Sequence, residues 1–244
     1  MYAAAGRGRG SIRIRTLRSQ AEPRKGMAMG PVFVTGGTGY IGRPLISALL
    51  DRGYRVHALV RRGSEAKLPP GALAVIGSAL DASTFASAIP SDASVVHLVG
   101  TPHPSPAKAA EFRGVDLASI RATTEAVRRA RVRQLVYVSV AHPAPIMRAY
   151  IAARQEGEAL VWASQIPATI LRPWYVLGPA HRCPYFLVPF YAILRSIPAT
   201  RESAERLGLV TRQAMVAALV RAVEAPPATG VRIVEVPEIR QAPA

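Results

Sequence analysis

Residues 32–42, VFVTGGTGYIG, restrict what this chain can fold into more than any other stretch. The run Pro31-Val32-Phe33-Val34 is apolar and β-branched in part, as a short buried strand is. It breaks at Gly36, and Gly39 and Gly42 follow at three-residue spacing. From Ile41 the apolar period changes, with Leu45, Ile46, Leu49 and Leu50 on one helical face. A strand, a glycine turn and a helix start make a dinucleotide site for a physical reason. The first glycine permits the tight turn, the second lets the backbone approach a diphosphate, and the third lets helix pack on strand. Free N–H groups at the helix start then face the phosphates. Gly36, Thr38, Gly39, Tyr40, Ile41 and Gly42 are the residues of this turn expected to meet the nucleotide.

The rest of the chain repeats the alternation of strand and helix. Strands are predicted at 32–35, 55–60, 73–76, 94–98, 134–139, 168–171 and 232–236. Helices are predicted at 41–52, 82–88, 107–130, 148–164 and 212–224, with Thr211 as the N-cap of the last. This is the pattern of an α/β fold, a doubly wound parallel sheet of Rossmann type. Residues 29–178 are expected to form the dinucleotide-binding domain. Residues 179–244 are expected to complete the sheet and to supply a small cap over the substrate, since prolines at 179, 184, 189 and 198 interrupt regular structure.

The second strand ends in Val60-Arg61-Arg62-Gly63, where an acid would bind a ribose 2′-hydroxyl and favour NAD(H). Two guanidiniums instead suit a 2′-phosphate, which they hold bidentately. NADP(H) is therefore the expected cofactor, ahead of NAD(H), and no metal site is assigned. Ser78, after the third strand, offers a hydroxyl on the adenine side. His97 falls inside a buried strand pattern and is expected to be a core histidine.

The spacing TGG-T-G-Y-I-G resembles that of the short-chain dehydrogenase/reductase superfamily, and most closely its extended and atypical branches, which include epimerase/dehydratase and NmrA-like proteins. The resemblance extends over most of the chain from Pro31. It implies that Val99 and Gly100, after the fourth strand, and Pro173, in Arg172-Pro173, pass the nicotinamide end. It also implies a catalytic set. Relatives pair a tyrosine with a lysine four residues on, and place a hydroxyl at the end of the fifth strand. Here Tyr150-Ile-Ala-Ala-Arg154, followed by Glu158, matches the helix pattern with arginine in place of lysine. Tyr150 and Arg154 share a helix face. Arginine keeps the charge that favours a tyrosinate but is not interchangeable with lysine at a close-packed site, so ribose anchoring is expected to survive and proton relay to suffer. Ser139 ends the fifth strand, with Val140 where many relatives carry the working hydroxyl. The resemblance thus implies an NAD(P)-dependent oxidoreductase or epimerase/dehydratase-type enzyme on a small carbonyl or hydroxyl substrate. The alternative it leaves open is a non-catalytic redox sensor or an accessory subunit like that of respiratory complex I. Among relatives the helix carrying the tyrosine often packs in dimers, so a homodimer is implied.

Net charge is +16, which raises nucleic acid as a partner, but its distribution argues against one. Residues 1–28 hold seven basic groups against one acid, Glu22, so +6 sits there and +10 is spread thinly over the rest. That segment has no apolar period and is expected to be a disordered basic extension. Its arginines fit a transit peptide, while Gly6, Gly8 and Gly10 oppose the helix such a peptide needs; the favoured expectation is a natural start at Met27 or Met29. One cysteine, Cys183, allows no internal disulfide, and no apolar run is long enough to span a bilayer, so a cytoplasmic protein is expected.

Overall fold

The computed structural model describes residues 29–144, 146–178 and 207–242. Seven strands form one sheet: β1 (Met29–Thr35), β2 (Tyr54–Val60), β3 (Leu73–Ile76), β4 (Ser94–His97), β5 (Gln134–Val138), β6 (Ala168–Arg172) and β9 (Val231–Glu235). Every pairing in it is parallel, and the order is β3-β2-β1-β4-β5-β6-β9. The order reverses between β1 and β4, and the crevice at such a switch point is where doubly wound sheets take their ligands.

Parallel strands need crossovers, and these place helices on both faces. α1 (Gly42–Asp51) and α5 (Arg212–Glu224) cover one face, packing Leu45, Ile46, Leu49, Met215 and Leu219 on Val32 and Val34. α3 (Ala118–Ala130) and α4 (Arg148–Ala163) cover the other, with Ile120, Val127 and Val161 against Phe33, Leu135 and Ile170. The alternation Val32, Phe33, Val34 thus feeds two separate cores, as a strand buried on both sides must. Thr211 caps α5, its Oγ1 accepting from the Ala214 N–H at 3.1 Å. No helix among the described residues is long and apolar enough to cross a membrane.

Three features differ from expectation. Residues 82–88 form two 3₁₀ turns, Ala82–Thr84 and Ala86–Ala88, rather than a helix. The cause is local competition for the backbone: Asp81 accepts from the Ser83 N–H at 3.0 Å, and Thr84 Oγ1 donates to the Asp81 carbonyl at 2.7 Å. The long helix expected at 107–130 is interrupted. It opens with α2 (Ala109–Glu111), widens into a π-helical segment at Phe112–Leu117, and resumes as α3. A second parallel pair, β7 (Tyr175–Leu177) with β8 (Leu209–Thr211), stands outside the main sheet. Three-residue strands carry too little periodicity to be seen in sequence. The last helix, α6 (Val236–Arg240), follows β9 directly. The expected basic extension at 1–28 and residues 179–206 of the expected cap region lie outside the described residues.

Candidate functional site

The glycine turn between β1 and α1 is built as its sequence requires. Gly36 has φ +74°, and a Cβ there would lie 2.9 Å from the Leu98 carbonyl carbon. A Cβ at Gly42 would collide with the Gly36 carbonyl, so only glycine lets α1 start this close to the turn. No side chain caps that helix start and its first turn carries no acid, while the Arg43 N–H donates back to the Gly39 carbonyl at 3.2 Å and Pro44 has no N–H to offer.

The turn forms one end of a cleft of about 480 Å³. Gly36, Thr38 and Gly39 line it from the turn, Arg61 from the end of β2, and Val99 and Gly100 from the exit of β4. Ser78 lines it after β3, tied by its N–H to Thr84 Oγ1 at 2.9 Å. The other residues expected to meet the nucleotide do not line this cleft. Arg62 is exposed but does not line the cleft. The Tyr40 ring turns away beneath the Arg212 guanidinium, 5.1 Å from its centroid. Ile41 packs on the core of the α1 face. Pro173 is buried, and its carbonyl accepts from the Ala141 N–H at 3.0 Å, joining the exits of β5 and β6.

Tyr150 and Arg154 share one face of α4, with the guanidinium carbon 5.3 Å from the Tyr150 ring centroid. Phe112 covers that ring from the π segment at 5.0 Å. Arg154 is turned into the protein. Its Nη2 pairs with Asp116 Oδ1 at 2.6 Å, and its Nη1 donates to the Val138 carbonyl at 2.9 Å. Asp116 is fully buried, and its Oδ2 accepts from the Thr101 N–H at 3.0 Å and hydroxyl at 2.6 Å. Gly100 closes the arrangement, since a Cβ there would strike the guanidinium. Burial works to lower the Arg154 pKa, but Tyr150, Tyr137 and Asp116 outweigh it and hold the pKa above the usual arginine value. Ser139 is also buried, and its Oγ has no hydrogen-bond partner among the described residues.

Asp116 and Thr101 escaped the sequence reading. A signal existed: Asp116 stands four residues after Phe112 and four before Ile120, on the inward face of its helix. A charge at such a position requires a buried partner. His97 is the core histidine expected. Thr35 and Thr123 hydroxyls lie 3.0 Å from its Nδ1, and Ser119 Oγ 3.3 Å from its Nε2. Burial, helped by the Arg154 charge, holds its pKa down to about 3. Glu158, four residues after Arg154, accepts from Arg172 Nε at 3.0 Å, and Arg172 Nη1 reaches Glu235 at 3.0 Å. That bridge locks α4 to the exits of β6 and β9. Trp174 packs on the core beside α1, while Tyr175 is exposed.

A parallel sheet with a glycine cradle at its switch point defines a nucleotide-binding α/β protein. Residues 36–186 match the family described as NAD(P)H-binding, and the chain belongs to that family. It is 32% identical over 161 residues to a ceramide reductase of Caulobacter vibrioides, covering 62% of this chain and 48% of that protein. It is 29% identical over 168 residues to 4-hydroxy-2-methyl-3-oxo-4-farnesyl-3,4-dihydroquinoline-1-oxide ketoreductase of Stigmatella aurantiaca, covering 60% and 50%. The chain thus spans about half the length of the curated relatives it matches. A short-chain dehydrogenase/reductase superfamily protein from Agrobacterium tumefaciens with bound NAD superposes with a TM-score of 0.62 at 22% identity, over 84% of this chain and 77% of that one. A UDP-galactose 4-epimerase structure gives 0.61 at 21% identity, with the same coverage of both chains. The structural likenesses establish the fold, and the family match makes a nicotinamide dinucleotide the cofactor.

Proposed function

We propose that this chain is an NADP(H)-dependent oxidoreductase acting on a small carbonyl or hydroxyl substrate in the cytoplasm. The observation that carries the reading is Arg61, which lines the cleft at the end of β2 with no acid beside it. In that place a guanidinium complements a 2′-phosphate. The cradle fits the group: Gly36 and Gly42 let the turn close against the Leu98 backbone and its own Gly36 carbonyl, and the helix start beside the cleft carries no side-chain cap. Gly36–Gly42 would hold the diphosphate, and Val99 and Gly100 the nicotinamide half. When bound, the nicotinamide supplies or accepts a hydride. Tyr150 gives or takes the accompanying proton at its phenolic oxygen, and Ser139 orients the substrate oxygen. Two relatives named as reductases support this reaction class. Dimerisation through the face carrying α4 is part of the same proposal.

A second reading keeps the nucleotide and omits the reaction: a redox sensor or accessory subunit. Arg154 favours it, because both terminal nitrogens are committed to the protein rather than offered to a ribose. Calorimetry with NADPH and NADH, followed by a carbonyl screen at the nicotinamide absorbance band, separates the readings. Tighter NADPH binding and turnover abolished by Tyr150→Phe are expected. Tighter NADH binding removes the role of Arg61, and NADPH binding with no turnover across the screen favours the sensor.

A further inference from the structure

Between α1 and α5 lies a groove of about 460 Å³ that shares no lining residue with the nucleotide cleft. Pro44 and Ala48 line it from α1, and Val216, Ala217 and Val220 from α5, so its middle is apolar. Both helices follow or precede parallel strands and start at the same end of the sheet, so the groove runs along their shared direction. An arginine stands at each end, and the two ends differ. Arg52, just past α1, is paired with Glu224 at 3.3 Å and is neutralised there. Arg212 opens α5, whose first turn carries no acid, and no carboxylate among the described residues meets it. Its guanidinium rests 5.1 Å from the Tyr40 ring centroid, a contact that supplies no acceptor oxygen to its N–H groups. The positive end of the α5 dipole lies at the same place. From Arg212 to Val220 the helix rises about 12 Å, the length of an extended medium-chain alkyl group.

We propose that this groove is a second ligand site, which binds a free medium-chain carboxylate with its head on Arg212 and its chain along Val216 and Val220. The two halves of the groove ask for the two halves of such a ligand. The apolar stretch gains only from a ligand that removes alkyl surface from water. The guanidinium gains only from an anion, and a carboxylate matches its fork of donors. The Tyr40 ring already holds the guanidinium in place, so less freedom is lost when the head binds. The orientation follows from the unequal ends. Glu224 occupies Arg52, so the carboxylate has one unclaimed guanidinium to meet and the methyl end points towards the Arg52–Glu224 pair. The site does not depend on which reaction the nucleotide cleft supports.

The test is calorimetry of the full chain with sodium decanoate as the probe, in the absence and in the presence of NADPH. One decanoate is expected to bind per chain, with the same affinity in both conditions. Arg212→Gln should weaken it about tenfold, and decanol should bind wild type about tenfold more weakly than decanoate does. Val216→Trp, which fills the floor of the groove, should abolish binding; where that variant does not fold, Arg212→Gln and the decanol comparison decide. Absence of decanoate heat overturns the proposal and leaves the groove to the chain's own residues or to a protein partner. Displacement of decanoate by NADPH, or an affinity unchanged by Arg212→Gln, places the probe elsewhere and overturns it as well. Absent NADPH binding counts against the dinucleotide reading alone, since the decanoate arms do not require it.

Discussion

The glycine cradle and the cluster around Tyr150, which lies outside the lining of the cleft, place charge in opposite ways. At the diphosphate end the chain uses backbone. Gly36 and Gly42 let the turn fold tightly on itself, the helix start carries no side-chain cap, and the charged side chain, Arg61, stays exposed. At the tyrosine end it uses buried charge. Asp116 and Arg154 are almost fully excluded from water and pair with one another, with Thr101 and with the Val138 carbonyl, while Arg154 Nε has no hydrogen-bond partner among the described residues. The first device costs little to build, because exposed groups keep their hydration. The second carries a large desolvation penalty that its contacts must offset. The diphosphate end is thus tolerant of side-chain change outside its glycines, whereas the tyrosine end depends on every member being present.

This contrast can be broken by mutation. The largest effect belongs to Arg154→Met, which leaves a buried carboxylate unpaired. Denaturant unfolding should show a loss of about 3–5 kcal/mol, and a loss under about 1 kcal/mol would mean that water reaches Asp116. The next belongs to pH. The folded His97 pKa is depressed, so the unfolded chain takes up the proton first and stability falls as pH drops below 6.5 towards about 3. Between pH 6.5 and 5 the unfolding free energy should fall by about 2 kcal/mol, a slope that His97→Asn flattens. His57, lowered by burial and by Arg55, adds to the wild-type slope in the same direction.

Smaller effects sharpen the same comparison. Arg61→Ala should weaken NADPH about tenfold, with NADH affinity unchanged by calorimetry, because only the former carries the 2′-phosphate. Arg62→Ala, outside the cleft lining, should change neither. Smallest is Arg113→Ala. The Arg113–Glu156 pair joins the same two segments as Asp116–Arg154, but its side chains are 68% and 43% exposed. Thermal unfolding should register less than about 1 kcal/mol, and an effect as large as that of Arg154→Met would erase the distinction between the two pairs.

The amino-acid sequence by itself determined the sheet and the cradle. Each predicted strand appears within about three residues of its expected place, because each is a short apolar run, buried on both faces at the centre of the sheet. The glycine turn was legible because its requirement is local: a positive φ and a missing Cβ belong to single positions. Only the tertiary structure decided which way Tyr40 turns, that Arg61 rather than Arg62 lines the cleft, and that Arg154 points inward to Asp116. Those outcomes depend on side chains far apart in sequence, 38 residues in the case of Asp116 and Arg154, meeting across a β-strand exit. Periodicity reports which face a residue occupies, whereas the partner it finds there is set by how the helices are laid on the sheet.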